Sequence, residues 1–361
     1  MSVTKKRILK LTALALVMIL IYVFLSWFLI RTSSTTEAHI RNFYKEPENS
    51  MDVAFIGASE MYADYSAPLA YKKYGYTGYN FCYEGAPSQL YIPMIETYLR
   101  HQDPQLIVIE INGFLYSQKH CEKDVSYMKL FDNMPYSSER FEYVNKYVPE
   151  DKRLGYYLPL IDHHSNWRFL PNQVVRAIRN IRSDANGVSL TKSFGTRTST
   201  NSQKAHYSSD RKKARMYDYG KVQLEETIRY LKEKGVKNVL FIRAPHKQSI
   251  KKSSLKEMKK IITDGGYEFL NCDKLTEEIG LDFSTDFYND EHLNVFGNEK
   301  FTDYLGGYIT SHYDIKTSHT EEVDKQWQEC ADFTSELFEK LKVKTLNDED
   351  RLYYEENAKY A

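Results

Sequence analysis

Little in this 361-residue chain advertises a metal or redox protein. Its 4 cysteines, Cys82, Cys121, Cys272 and Cys330, form no C-x-x-C pair and have no histidine-rich spacing, which argues against a zinc site. Net charge is also missing. The 49 lysines and arginines match 49 aspartates and glutamates, so no basic field invites nucleic acid and no acidic excess invites cationic partners. No internal repeat is evident. What the chain does have is apolar mass: 42% hydrophobic and 14% aromatic residues suffice for a substantial core in one large domain or two small ones. Its 30 tyrosines fit amphipathic surface and core filler, or faces on which sugars stack.

The N-terminus is the most decisive stretch. Lys5, Lys6, Arg7 and Lys10 precede an uncharged apolar run at 11–30, long enough to cross a hydrocarbon core of about 30 Å as a helix. The run continues through Ser26, Trp27 and Phe28 into Arg31 without a small-residue cleavage pattern, so it reads as an uncleaved anchor rather than a signal peptide. Basic residues before the span place the N-terminus in the cytoplasm and the bulk of the chain outside. That gives a cytoplasmic tail at 1–10, a single transmembrane anchor at 11–30 and a polar stalk at 31–50, which also reads as a short helix leading away from the membrane. In such a compartment one or two disulfides are permitted, though the spacing pairs none of them.

From position 51 strand and helix patterns alternate. Strands are expected at 53–56, 78–81, 106–111, 238–243 and 267–270, and helices at 68–74, 88–101, 221–234, 254–263 and 299–305. The run Leu-Ile-Val-Ile-Glu-Ile at 106–111 suits a strand covered on both faces. Alternation of this kind implies an α/β domain with a mostly parallel sheet, here over 51–315. At about 116–214 it gives way to polar, tyrosine-rich sequence, read as an insertion over the sheet's carboxyl edge, part helical and part mobile, with a Ser/Thr/Asn-rich run at 191–202. Beyond 316 lies a helical extension. Its Val323, Trp327, Cys330, Phe333, Leu337 and Leu341 recur every three or four residues, a stripe expected to pack on the domain.

The chemistry-bearing residues sit at the two ends of the domain. The apolar strand at 53–56 leads into Gly57-Ala58-Ser59, and much later comes Asp286-Phe287-Tyr288-Asn289-Asp290-Glu291-His292. A serine nucleophile needs a base, a group that orients the base, and donors aimed at the oxyanion. Sites in open α/β sheets lie outside the strand ends, where such distant residues meet. These blocks resemble the SGNH (GDSL-like) hydrolase superfamily, within it the membrane-anchored branch that works beside membrane-bound O-acyltransferases, as in teichoic-acid D-alanylation and alginate acetylation.

The resemblance implies a three-layer α/β/α SGNH-like domain. It implies Ser59 as nucleophile, with Ala58 where the family more often has aspartate, and His292 as base. Gly85, in Asn80-Phe81-Cys82-Tyr83-Glu84-Gly85, supplies a second oxyanion N–H beside that of Ser59. Asn112 stands near the family's third block, whose Gly-x-Asn-Asp pattern is missing, and is a candidate side-chain donor. The family's Asp-x-x-His is also altered: Asn289 stands three before His292, with Asp290 and Asp286 as other candidates for its partner. His163, His164 and Trp167 are candidates for a substrate groove, or else for a packed turn around a buried tryptophan. No cofactor and no metal is expected. The implied activity is a membrane-anchored O-acyltransferase or acyl esterase on a cell-surface polysaccharide or teichoic-type polymer, with a membrane-bound O-acyltransferase as partner. The alternative is a catalytically impaired scaffold in the cell envelope.

Overall fold

The computed structural model describes residues 3–30, 36–185, 187–197, 213–346 and 353–354. Five strands form one sheet: β1 (Val53–Gly57), β2 (Gly78–Cys82), β3 (Leu106–Glu110), β5 (Val239–Arg243) and β6 (Glu268–Asn271). Two short strands, β4 (Thr196–Arg197) and β7 (Tyr353–Tyr354), pair separately. The sheet runs β2-β1-β3-β5-β6 and every pairing is parallel. β1, β2, β3 and β5 are buried at every position, which is why their sequences are continuous apolar runs rather than alternating ones. The order places β1 beside both β2 and β3. Chain leaving β1 and chain leaving β3 therefore diverge to opposite sides, and the crevice between them is where parallel sheets bind ligands.

Helices cover the sheet. Ala67–Tyr74 packs with Val295–His312 and Glu321–Leu346, while Tyr91–His101 packs with Asp218–Glu233, which meets Lys252–Asp264. The C-terminal helix buries its stripe as expected, with Trp327, Cys330, Leu337 and Leu341 inside. Tyr65, Tyr76, Tyr79, Tyr83, Tyr91, Tyr98 and Tyr143 are buried completely, so much of the tyrosine excess is core. The four cysteines are buried free thiols, and no disulfide forms among them.

One expectation changes and another is sharpened. The segment after the apolar helix is not a stalk where it is described: Glu37–Phe43 packs on β2, with Ile40 and Phe43 buried and the His39 carbonyl accepting from Tyr79 Oη at 2.7 Å. The domain thus begins before position 51, because these apolar side chains cover β2. The insertion is strongly helical, including Asp124–Phe131, Ser138–Tyr147 and Leu170–Ala185. The run expected to be mobile lies outside the described residues from position 198 onward. At the N-terminus Val3–Leu29 is one helix with an apolar, exposed surface, long enough to span a membrane.

Candidate active site

β1 ends at Gly57, whose position demands the smallest residue: a Cβ there would lie 2.8 Å from Cβ of Glu110 on β3. The chain then turns through extended Ala58, and Ser59 opens the short helix Ser59–Asp64. Ser59 is nearly buried at the wall of a cleft of about 460 Å³, also lined by Gly85, Tyr116, His120, Asn289 and His292. Gly85 adopts φ +66°, a conformation that glycine enters without steric cost. It brings the loop after β2 into the same cleft.

The histidine loop is fastened to the serine helix. Asp64 Oδ1 accepts the Leu293 N–H at 2.8 Å, Asn298 Nδ2 donates to the Ala63 carbonyl at 2.6 Å, and the Lys247 N–H donates to the Asp290 carbonyl at 2.8 Å. These bonds explain how residues more than 200 positions apart line one cleft. Within the loop Asn289 Oδ1 accepts the N–H groups of Glu291 at 2.7 Å and His292 at 2.8 Å, and lies 3.1 Å from His292 Nδ1. Because that oxygen is an acceptor, the contact requires a proton on Nδ1, which in the neutral imidazole leaves the lone pair on Nε2. This is the tautomer a general base requires, and an asparagine orients the base in the same way in papain-like Cys-His-Asn sites.

Several expected roles are corrected. Of the three candidate partners for His292, Asn289 is the one placed 3.1 Å from Nδ1. Asp286 is engaged elsewhere: its carboxylate takes Lys300 Nζ at 2.7 Å, the Asp282 N–H at 2.8 Å and Thr285 Oγ1 at 3.0 Å, which fixes the loop's shape. Asn112 is no open oxyanion donor, since its Nδ2 donates to Glu60 and, at 3.4 Å, to Tyr116 Oη, and its Oδ1 accepts from Arg243 at 2.7 Å. His163, His164 and Trp167 are not part of the cleft. His163 is buried against Asp132 at 2.9 Å, His164 bonds its own helix at the Ile161 carbonyl, and Trp167 is exposed rather than buried. The early insertion does reach the cleft, through Tyr116, His120, Lys123 and Lys129.

Beneath the serine lies a charged network that the sequence did not single out. Glu60 Oε2 accepts from Ser59 Oγ at 3.3 Å, and the glutamate is wholly buried. Burial pushes its carboxyl up to about 7, against the opposing pull of Arg243. Arg243, at the end of β5, lies 3.8 Å from Glu110 and 3.6 Å from Asp273. Burial, with the neighbouring Glu60, also raises Glu110 well above the usual range, and burial raises Asp273 to about 6, with Arg243 resisting in both cases. His246 is buried as well, and desolvation, with Arg243 and His292 nearby, keeps it neutral. One signal was available: Glu110 and Arg243 each terminate an apolar strand at the end where parallel sheets hold their sites.

The fold and cleft define an α/β protein with a five-stranded all-parallel sheet and with Ser59, Asn289 and His292 lining one cleft at its carboxyl end. Comparison with known proteins finds no matching family model, no matching curated protein and no matching solved structure.

Proposed function

We propose that this chain is a membrane-anchored acyl-transfer enzyme of SGNH type, with a three-layer domain facing outward, that forms an acyl ester on Ser59. The observation carrying the proposal is the His292 Nδ1 contact to Asn289 Oδ1 at 3.1 Å in the cleft that Ser59 lines. Nε2 takes the proton as Ser59 Oγ attacks the acyl carbonyl. The Ser59 and Gly85 N–H groups stabilise the oxyanion, and the histidine returns the proton to the departing group. An acceptor hydroxyl or water then repeats the sequence to release the acyl group.

The substrate class follows from the resemblance and from the outward-facing anchor: acetyl or a similar short acyl group on a cell-surface polysaccharide or teichoic-type polymer, passed on from a membrane-bound acyltransferase. The cleft favours a small acyl group on an extended carrier, being modest in volume and rimmed by Lys123, Lys129, Glu84 and Glu291. A second reading is favoured by Asn289, which orients the imidazole without supplying the negative charge that stabilises imidazolium. On that reading the chain is a polymer-binding scaffold. Incubating the full-length protein with p-nitrophenyl acetate decides between them. The enzyme gives a burst of nitrophenolate and gains the mass of one acetyl group at Ser59, whereas a scaffold gives neither.

A further inference from the structure

The Leu170–Ala185 helix is amphipathic but faces the wrong way for a water-soluble surface. The side it turns inward carries Gln173, Arg176, Ala177 and Asn180, and Gln173 and Ala177 are buried. Asn180 accepts from Arg41 at 3.1 Å. The side it turns outward carries Leu170, Val174, Val175, Ile178 and Ile181, the last 58% exposed. A helix of a soluble domain buries such a stripe. Just upstream, Ile161, Trp167 and Phe169 are also exposed, so the apolar surface is contiguous in sequence as well as along one helix face.

Its position says what covers it. The same segment is tied to the final turn of the N-terminal apolar helix. Asn166 Nδ2 donates to the Leu29 carbonyl at 3.0 Å, and Arg176 donates to the carbonyls of Phe28 and, at 3.2 Å, Trp27. All three bonds cap carbonyls that the helix end would otherwise leave open. The exposed face therefore starts where the spanning helix leaves the hydrocarbon. Trp27 and Trp167 are placed as interfacial tryptophans usually are, and Arg168, Arg179 and Arg182 suit anionic headgroups at that level.

We infer that the apolar face of Leu170–Ala185, with Trp167, seats in the outer leaflet of the membrane as an interfacial helix beside the anchor. Such helices sink their apolar side about 5–10 Å into the headgroup boundary. Because Arg41, Asn133 and Asn180 join this segment to the domain, seating it fixes the domain's orientation over the bilayer. The inference rests on the reading of Val3–Leu29 as the anchor. It does not depend on the acyl chemistry.

The test uses the full chain in nanodiscs of phosphatidylcholine and phosphatidylglycerol, made with ordinary lipid or with lipid brominated in the upper acyl chain, a contact quencher of indole. The chain has 3 tryptophans, and Trp327 is completely buried in the domain. Trp27→Phe leaves Trp167 as reporter of the interfacial helix; Trp167→Phe leaves Trp27 as reporter of the anchor. The expected result is that Trp27→Phe protein loses about half its emission in brominated lipid, the share of one lipid-seated indole out of two. The double variant should lose none. Quenching in Trp167→Phe but not in Trp27→Phe overturns the inference with the anchor intact, and points to a protein partner on this face. Absence of quenching in both single variants means that the anchor reading has failed and the inference with it.

Discussion

The carboxyl edge of the sheet and the segment beside the apolar helix break opposite rules. At the sheet edge Glu60, Asp64, Glu110, Arg243 and Asp273 are buried, although charged groups are rarely taken from water without strong compensation. Beside the helix, leucine, valine, isoleucine and tryptophan face outward. The first arrangement sets protons and hydrogen-bond donors in place beneath Ser59. The second leaves apolar area for an environment other than water. Local departures from folding rules of this kind concentrate at functional sites, where the rest of the fold sustains their cost.

The contrast can be broken from either side. The largest effect is expected at the chemistry itself: Ser59→Ala or His292→Ala should lower ester turnover at least about a thousandfold, read as initial rates on p-nitrophenyl acetate. Next comes Arg243→Met, which leaves Glu60, Glu110 and Asp273 buried without their cation. It should cost about 3–5 kcal/mol in urea unfolding, the range for breaking a buried ion pair. Its counterpart on the other region, Ile178→Glu, should shift detergent-solubilised stability by no more than about 0.5 kcal/mol, because an exposed position has little packing to lose. If the two substitutions cost the same, the distinction between the regions fails.

Smaller effects probe the histidine partner and the buried acid. Asn289→Ala should reduce kcat by about a hundredfold with KM little changed, and Asn289→Asp should retain more activity than the alanine variant. Burial lifts the Glu60 carboxyl to about 7, above its ordinary value of 4.5. Its contribution to stability is therefore present below the unfolded value and is lost as pH rises through about 7. Glu60→Gln removes that slope, so thermal midpoints of the variant should change less than those of the parent between about pH 5 and 8. A parallel fall in both proteins would assign the slope to other groups.

Much of the sheet was legible because buried parallel strands carry a composition of their own. The runs in β1, β3 and β5 could be nothing else at that length and with those flanks. Ser59 and His292 were legible through the blocks around them, and the hydrogen bonds from Asp64 and Asn298 now explain how those blocks meet. The partner of His292 was not legible, since Asn289, Asp290 and Asp286 differ by only a few positions in a loop whose turn is set by where Asn289 Oδ1 finds its N–H donors. Glu60 looks in sequence like an ordinary solvated charge, and only the tertiary fold buries it, whereas Glu110 and Arg243 carried the one signal of ending apolar strands. The stripe of Leu170–Ala185 is visible in its period, but period does not reveal which side faces out. For the same reason His163 and Trp167, grouped by composition with the cleft, belong to the region beside the apolar helix.

The most direct test of the central claim is to treat the full-length protein in detergent with a serine-reactive fluorophosphonate and read intact mass beside Ser59→Ala and His292→Ala. The account predicts one adduct per chain, on Ser59, absent from both variants. A folded parent protein that stays unmodified, or an adduct that persists when His292 is removed, would contradict an activated Ser59 in this cleft.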